Sequence, residues 1–115
     1  MKAAIYARYS SDNQREESIE AQVRAIKEYA DKNGIIITKV YTDEARSATT
    51  DNRPKFLEMI KDSEFRLFDA VIVHKLDRFS RDRYDSAYYK RVLKKNGVRL
   101  ISVLEHLDDS PESII

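Results

Sequence analysis

The spacing of apolar positions changes several times along this chain of 115 residues, and each change marks a predicted strand or helix. Residues 2–9 are apolar and partly β-branched, which is typical of a strand. Within residues 15–32 the apolar side chains recur at helical spacings, at Ile19, Val23, Ile26 and Ala30. We also predict strands at residues 35–41, 68–74 and 98–104, helices at 53–63 and 84–95, a polar loop at 42–52, and a charged loop or helix entry at 75–83.

Turn-forming residues support these boundaries. Asn33-Gly34 and Asn96-Gly97 each follow a predicted helix, where glycine supplies the left-handed conformation that ends a helix. Pro54 falls in the first turn of another predicted helix, where its missing N–H costs nothing. The three consecutive isoleucines at 35–37 predict a strand that is buried on both faces.

The alternation of strands and helices predicts the fold class. The order β-α-β-α-β-α-β is typical of an α/β fold, with a mostly parallel β-sheet, helices on both faces and right-handed crossovers. A chain of 115 residues is long enough for one core and too short for two, and no linker or repeat divides it. We therefore expect a single domain over residues 1–115.

Composition and charge exclude several functions. The chain has no Cys, so disulfides, zinc ribbons and thiol chemistry are excluded, and no apolar run is long enough to span a membrane. Its net charge is only +1, but residues 105–115 hold four acidic residues and no basic one. The first 104 residues therefore carry 21 basic against 16 acidic side chains, a net charge of +5. We expect a folded, soluble, cytoplasmic chain with a solvated acidic tail.

Candidate chemistry lies where the predicted strands end, because ligands of open parallel sheets bind beyond the carboxyl ends of the strands. The segments after the first three strands are polar, and each supplies arginine. Arg8 and Ser10 are two apart on a strand and so share a face. Arg78 and Arg81 are three apart at a helix entry and can share its first turn. Arginine suits phosphate because its planar fork bonds two oxygens at once.

Plainer roles compete with this interpretation. A single surface arginine is usually solvated or paired, and Asp77 can simply pair with Arg78 or Arg81. His74 ends a buried strand and is expected to be packed, and three tyrosines at helical spacing are expected in a core or an interface: Tyr84, Tyr88 and Tyr89. Convergence of arginine from three segments on one edge nevertheless favours a phosphate-binding site. Glycine-rich nucleotide loops and the Gly-x-Ser-x-Gly elbow are absent from the sequence.

Together these residues resemble a known family. The relevant motifs are Tyr6-Ala7-Arg8-Tyr9-Ser10-Ser11, Gln22, Asp43, Arg53-Pro54-Lys55-Phe56 and Leu76-Asp77-Arg78-Phe79-Ser80-Arg81-Asp82. In this order they resemble the serine site-specific recombinases, which comprise resolvases, invertases and large serine integrases. The Arg-Pro-x-Phe motif is more similar to the large serine recombinases and integrases. The resemblance covers the N-terminal catalytic domain and implies a resolvase-like, three-layer α/β/α fold.

The resemblance also implies a mechanism and partners. Ser10 would attack a DNA phosphodiester and form a 5′-phosphoserine link, without metal or nucleotide cofactor. The scissile phosphate would be held by Arg8, Arg53, Arg78 and Arg81. Asp77 matches the acidic residue of the family's active site, and Gln22 and Asp43 match supporting positions. The partners would be double-stranded DNA and further copies of the chain, as a dimer on DNA and a tetramer at synapsis.

Family members continue into a long dimerisation helix and DNA-binding domains. We therefore expect these 115 residues to be a catalytic domain that ends before those parts and that is inactive in recombination by itself. Two other functions remain open from the residues alone. One is a non-catalytic α/β module whose arginines hold a phosphate or nucleotide. The other is an assembly module of a larger protein that acts through the tyrosine-bearing helix.

Overall fold

The computed structural model describes residues 1–10, 18–45, 53–79, 83–105 and 107–109, with the backbone alone for Ser10, Ala45, Arg83, Asp85 and residues 107–109. Within these residues, strands and helices alternate from the N-terminus as the hydrophobic pattern predicts. The strands are β1 (Lys2–Ser10), β2 (Ile36–Ala45), β3 (Ala70–Val73), β4 (Arg99–Ser102) and β5 (Leu107–Asp109). The helices are α1 (Ile19–Lys32), α2 (Pro54–Ser63), α3 (Leu76–Phe79) and α4 (Arg83–Lys95).

The sheet is mostly parallel, which confirms the predicted fold class. Its strand order is β2-β1-β3-β4-β5; the first four strands run parallel, and β5 pairs antiparallel with β4. Two apolar clusters cover the two faces of the sheet. Helix α1 contributes Ile26 and Ala30 to one cluster, while α2 and α4 contribute Phe56, Met59 and Leu93 to the other. The result is the expected three-layer α/β/α arrangement.

The aromatic ring of Phe56 lies at the centre of the second cluster. It makes edge-to-face contacts with Tyr6 of β1, Phe79 of α3 and Tyr89 of α4, at centroid distances of 5.2, 5.1 and 4.9 Å. Such contacts add to the free energy gained from burial alone. Phe56 therefore joins β1 to the three helices α2, α3 and α4.

Strand β2 departs from the sequence prediction in two respects. It extends to Ala45, so residues 42–45 of the predicted loop belong to a strand. It also lies at the edge of the sheet, and Ile36 is 61% exposed, so the predicted burial on both faces is wrong. Consecutive isoleucines favour a β-strand, but this propensity is the same for an edge strand and for a central one, so it does not predict burial. The rest of the predicted loop, residues 46–52, lies outside the described residues.

The start of α1 and the segment after β4 also differ from the prediction. Helix α1 begins at Ile19 rather than near residue 15, with the Ser18 hydroxyl accepting the N–H of Ala21 at 3.1 Å. Strand β5 was missed because three residues of an acidic segment show no periodicity that distinguishes a strand from a loop.

The glycine predictions are confirmed, since Gly34 and Gly97 have φ values of +67° and +75°. No helix in the described part of the chain is long and apolar enough to cross a membrane.

A polar cluster on the surface ties β2 to α2. The Asp62 carboxylate accepts hydrogen bonds from the Tyr41 hydroxyl at 2.6 Å and from the Lys39 ammonium at 3.0 Å. The Tyr41 hydroxyl, followed by the Lys39 ammonium, holds the pKa of Asp62 below its usual value of 3.8 against the opposing effect of burial. The contact therefore stabilises the fold while Asp62 is ionised.

This cluster predicts a pH-dependent contribution to stability. A carboxylate whose pKa is lower in the folded state than in the unfolded state adds to the free energy of unfolding at any pH above its usual pKa. This added stability is lost as the pH falls through the lower pKa of the folded state. We expect Asp62→Asn to lower the free energy of unfolding at pH 7 by about 1 kcal/mol. In urea titrations, the difference in the free energy of unfolding between this variant and wild type should disappear below about pH 4. The matched change Glu58→Gln, in an exposed pair with Lys55, should have little effect at any pH; a gap that stayed constant with pH would contradict this account.

Candidate functional site

The candidate site begins at the carboxyl end of β1. Arg8 is partly buried and lies opposite Asp43 in the parallel pairing of β1 with β2. Ser10 is the last residue of β1, and its backbone is in register with Ala45. The Ser10 side chain lies outside the described structure, so its predicted role stays a prediction. The backbone nevertheless places Arg8 and Ser10 at the strand end, as the sequence analysis expected.

Gln22 fixes the backbone of Arg8. This residue of α1 is completely buried, and its amide makes two complementary hydrogen bonds to the backbone N–H and C=O of one residue of β1. Its Nε2 donates to the Arg8 carbonyl at 2.8 Å, and its Oε1 accepts the Arg8 N–H at 3.3 Å. The position predicted as supporting therefore acts on the arginine's backbone.

Asp43 joins β1, β2 and α2. Its carboxylate is almost fully buried and accepts the Tyr6 hydroxyl at 2.9 Å. It also accepts the backbone N–H groups of Lys55 at 3.1 Å and Phe56 at 2.9 Å, in the first turn of α2. The residue preceding this helix, Arg53, makes no side-chain cap, so a carboxylate from the preceding strand, β2, performs that function.

The pKa of the Tyr6 hydroxyl reflects the charged groups around the Asp43 carboxylate. Burial, followed by the Asp43 charge, raises the pKa of Tyr6 well above its usual value, and the guanidinium groups of Arg53 and Arg8 oppose that rise. The hydroxyl therefore stays protonated and donates to Asp43. Both arginines are close enough to act on the same hydroxyl, so the structure brings residues from β1 and from the start of α2 together. Tyr6 had no predicted role at the site, although its spacing of two from Arg8 places both side chains on the same face of β1.

Arg53 connects the start of α2 with the end of α3. Only 6% of this residue is exposed, and its guanidinium carbon lies 3.9 Å from the centre of the Phe56 ring. Its Nη1 donates a hydrogen bond to the Phe79 carbonyl. A cation stacked on a ring and bonded to a carbonyl is held in one orientation. Arg53 is thus positioned next to the residue that follows Arg78.

Arg78 and Asp77 lie on α3, which packs against β1 and β3. The Arg78 residue is 2% exposed, and its Nε lies 3.8 Å from the Asp77 carboxylate, whose side chain is half exposed. The expected pairing of Asp77 with a neighbouring arginine is present. Arg81, the fourth predicted arginine, lies outside the described residues.

The structure therefore brings together six of the predicted site residues: Arg8, Gln22, Asp43, Arg53, Asp77 and Arg78. The arrangement concentrates positive charge at the ends of three parallel strands, where an anion can be bound. Among the described residues, no group of three or more His, Asp or Glu side chains is placed to hold a metal ion. His74 is buried as expected. Of the three tyrosines, Tyr89 packs on the core, while Tyr84 and Tyr88 are exposed.

The hydrogen bonds of Asp43 predict a large effect on stability. We expect Asp43→Ala to lower the free energy of unfolding by about 2–4 kcal/mol, because it leaves the Tyr6 hydroxyl and two helix N–H groups without their acceptor. Urea unfolding followed by circular dichroism measures this change. Glu44→Ala, at the exposed neighbouring position, should shift stability by less than about 0.5 kcal/mol. Equal effects of the two substitutions would contradict the role assigned to Asp43.

Comparisons with known proteins identify the family of this chain. Residues 3–113 match the family model described as Resolvase, N terminal domain. The chain has 38% sequence identity to the N-terminal catalytic domain of TP901-1 integrase. Its fold superimposes on the crystal structure of that domain with a TM-score of 0.82, covering 94% of this chain and 81% of that one. It is 30% identical to a resolvase family site-specific recombinase from Streptococcus pneumoniae, with a TM-score of 0.85 over 98% of this chain and 78% of that one.

Two curated relatives are transposon resolvases. The chain is 30% identical to the Tn917 resolvase of Enterococcus faecalis, over 91% of this chain and 50% of the relative. It is 32% identical to the Tn3 resolvase of Escherichia coli, over 85% of this chain and 48% of the relative. The chain thus spans about half the length of these relatives. The resemblance inferred from the motifs is confirmed: this chain belongs to the resolvase family of serine recombinases, with residues 3–113 matching the family's N-terminal domain.

Proposed function

We propose that this chain carries the DNA cleavage and rejoining chemistry of site-specific recombination. The observation that supports this most strongly is the convergence of Arg8, Arg53 and Arg78 at the end of the strand that terminates in Ser10. A phosphodiester needs a nucleophile and fixed positive charge around its oxygens, and this edge of the sheet offers both. The integrase and resolvase similarities point to the same chemistry.

In the proposed reaction, the Ser10 hydroxyl oxygen attacks the phosphorus of one DNA strand. A bond forms between this oxygen and phosphorus, and the bond from phosphorus to the 3′ oxygen breaks. The departing 3′ oxygen takes up a proton from solvent, so the strand leaves with a free 3′-hydroxyl. The hydroxyl proton of Ser10 passes to a base, for which the motif offers Asp77. Attack of a 3′-hydroxyl on the phosphoserine reverses these steps and rejoins the strand.

The arginines would stabilise the transition state of this reaction. Negative charge grows on the non-bridging phosphate oxygens, and guanidinium groups fixed before the substrate arrives need no reorganisation to meet it. Arg53 and Arg78 are buried and oriented by their partners, which suits this role. Arg81 is proposed as the fourth member from the motif. The chemistry would then require neither metal nor nucleotide, since the phosphoserine bond conserves the energy of the phosphodiester.

The proposed partners are double-stranded DNA and further copies of this chain. Recombination exchanges strands between two duplexes, so the protein would act as a dimer on each site and as a tetramer when two sites are joined. The net charge of +5 over residues 1–104 is modest for a DNA-binding protein. We therefore assign chemistry to this chain, and site recognition to DNA-binding domains like those of the family.

The nucleophile is tested by covalent trapping. On a nicked duplex that carries the recombination site and prevents rejoining, this chain joined to the DNA-binding domains that recognise the site should form a covalent protein–DNA adduct, visible as a shifted band on a denaturing gel. Ser10→Ala should abolish the adduct because no oxygen remains to attack phosphorus. Ser11→Ala is the matched control and should still form it. An adduct that survives Ser10→Ala, or one that is lost only with Ser11→Ala, would refute the assignment.

DNA binding by the chain should depend strongly on salt and weakly on sequence, because contacts to phosphates carry no base information. If about three phosphates are neutralised, affinity should fall roughly 40-fold between 50 and 200 mM salt. Fluorescence anisotropy with two unrelated duplexes measures both properties. Ser10→Ala should bind like wild type, while Arg8→Ala should bind more weakly with a shallower salt slope. Binding that is insensitive to salt would contradict this prediction.

A further inference from the structure

The short helix α3 is held at both of its ends by side chains from elsewhere in the chain. Within the described residues it comprises Leu76–Phe79, a single turn that carries Asp77 and Arg78. One turn of helix is unstable by itself, because nucleation fixes several residues for a single hydrogen bond. The position of the Arg78 guanidinium therefore depends on the contacts that hold this turn in place.

Glu105 holds the beginning of α3. Its Oε1 accepts the backbone N–H of Leu76 at 3.0 Å, and the same oxygen accepts a hydrogen bond from the hydroxyl of Ser102, a fully buried residue of β4. A carboxylate at this position satisfies an N–H that has no partner within the helix and complements the positive end of its dipole. Glu105 is exposed, as expected for a residue of the acidic tail, but its hydrogen bonds to the start of α3 and to β4 were not predicted.

The backbone around Glu105 is also fixed. The N–H groups of Val103 and Leu104 donate to the carbonyls of Val73 and His74, both at 3.0 Å. The turn after β4 therefore follows the end of β3 up to the point where α3 begins. At the other end of α3, the Arg53 guanidinium binds the Phe79 carbonyl. The turn of helix is clamped between a carboxylate and a guanidinium, each acting on the end whose dipole it complements.

We propose that Glu105 is a positioning residue for the cleavage reaction: it fixes α3, and through α3 the Arg78 guanidinium, against the end of β1. It touches neither DNA nor the reacting atoms. The proposal rests on the proposed function, because it assigns Glu105 a role in presenting Arg78 to the scissile phosphate. Ser102 supports Glu105 from β4.

The first test measures the rate of adduct formation and the affinity for DNA separately, in this chain joined to the DNA-binding domains that recognise the site. Glu105→Ala should slow adduct formation about 10- to 100-fold, since a displacement of about 1 Å is that costly to a preorganised site. DNA affinity should change less than about twofold, because no phosphate contact is removed. Glu105→Gln retains an acceptor oxygen and should restore the rate to within about threefold of wild type.

Two further variants separate positioning from charge and from folding. Glu28→Ala removes the same charge from the exposed face of α1 and should leave the rate unchanged. Ser102→Ala should slow the reaction in the same direction as Glu105→Ala and by a smaller factor, and it serves if Glu105→Ala fails to fold. A wild-type rate in Glu105→Ala, or equal losses in the Ala and Gln variants, would overturn the proposal.

The second test does not depend on activity. Amide hydrogen exchange measured by NMR should show protection of the Leu76 N–H in wild type and in Glu105→Gln, and a loss of protection of about tenfold or more in Glu105→Ala. Unchanged protection would overturn the proposal even if the chain cleaves DNA. If no variant forms an adduct and wild type forms none either, the proposed function fails, while the exchange data still decide whether Glu105 holds α3.

Discussion

The Asp43 carboxylate accepts hydrogen bonds from the Tyr6 hydroxyl of β1 and from two backbone amides of α2, while its own backbone belongs to β2. Three segments that are distant in sequence therefore meet on one side chain. The charge is nearly buried, so removing any donor leaves it poorly compensated. Because Arg53 immediately precedes α2, its place beside Tyr6 and Phe79 depends on this same carboxylate.

The site also has to hold several guanidinium groups together against their mutual repulsion. Each described arginine has its own constraint: Gln22 fixes the Arg8 backbone, the Phe56 ring and the Phe79 carbonyl orient Arg53, and Asp77 lies beside Arg78. The aromatic cluster around Phe56 packs against the same segments and helps to hold them in place. A phosphate bound among the guanidinium groups would reduce their mutual repulsion.

Much of this could be predicted from sequence because the signals are local. The period of apolar residues predicts α1 and α2, Gly34 and Gly97 end two helices, and the position of arginine after each strand predicts the edge of the sheet where the site lies. Three features could not be predicted, because each depends on tertiary pairing: the edge position of β2, the strand β5, and Glu105 as a helix cap. In sequence, Glu105 is indistinguishable from the acidic residues around it. Its function depends on β4 ending beside the start of α3, which only the folded chain reveals.

The central claim is that a serine at the end of β1 forms a covalent bond to DNA while arginines from three segments surround the phosphate. Peptide mapping of the trapped adduct by mass spectrometry tests it most directly, after digestion of the protein with protease and of the DNA with nuclease. The account predicts that the nucleotide mass is attached to Ser10 and that the link is to the 5′ phosphate, with a free 3′-hydroxyl on the other fragment. Attachment at Ser11 or at any other residue, or a link through a 3′ phosphate, would contradict it.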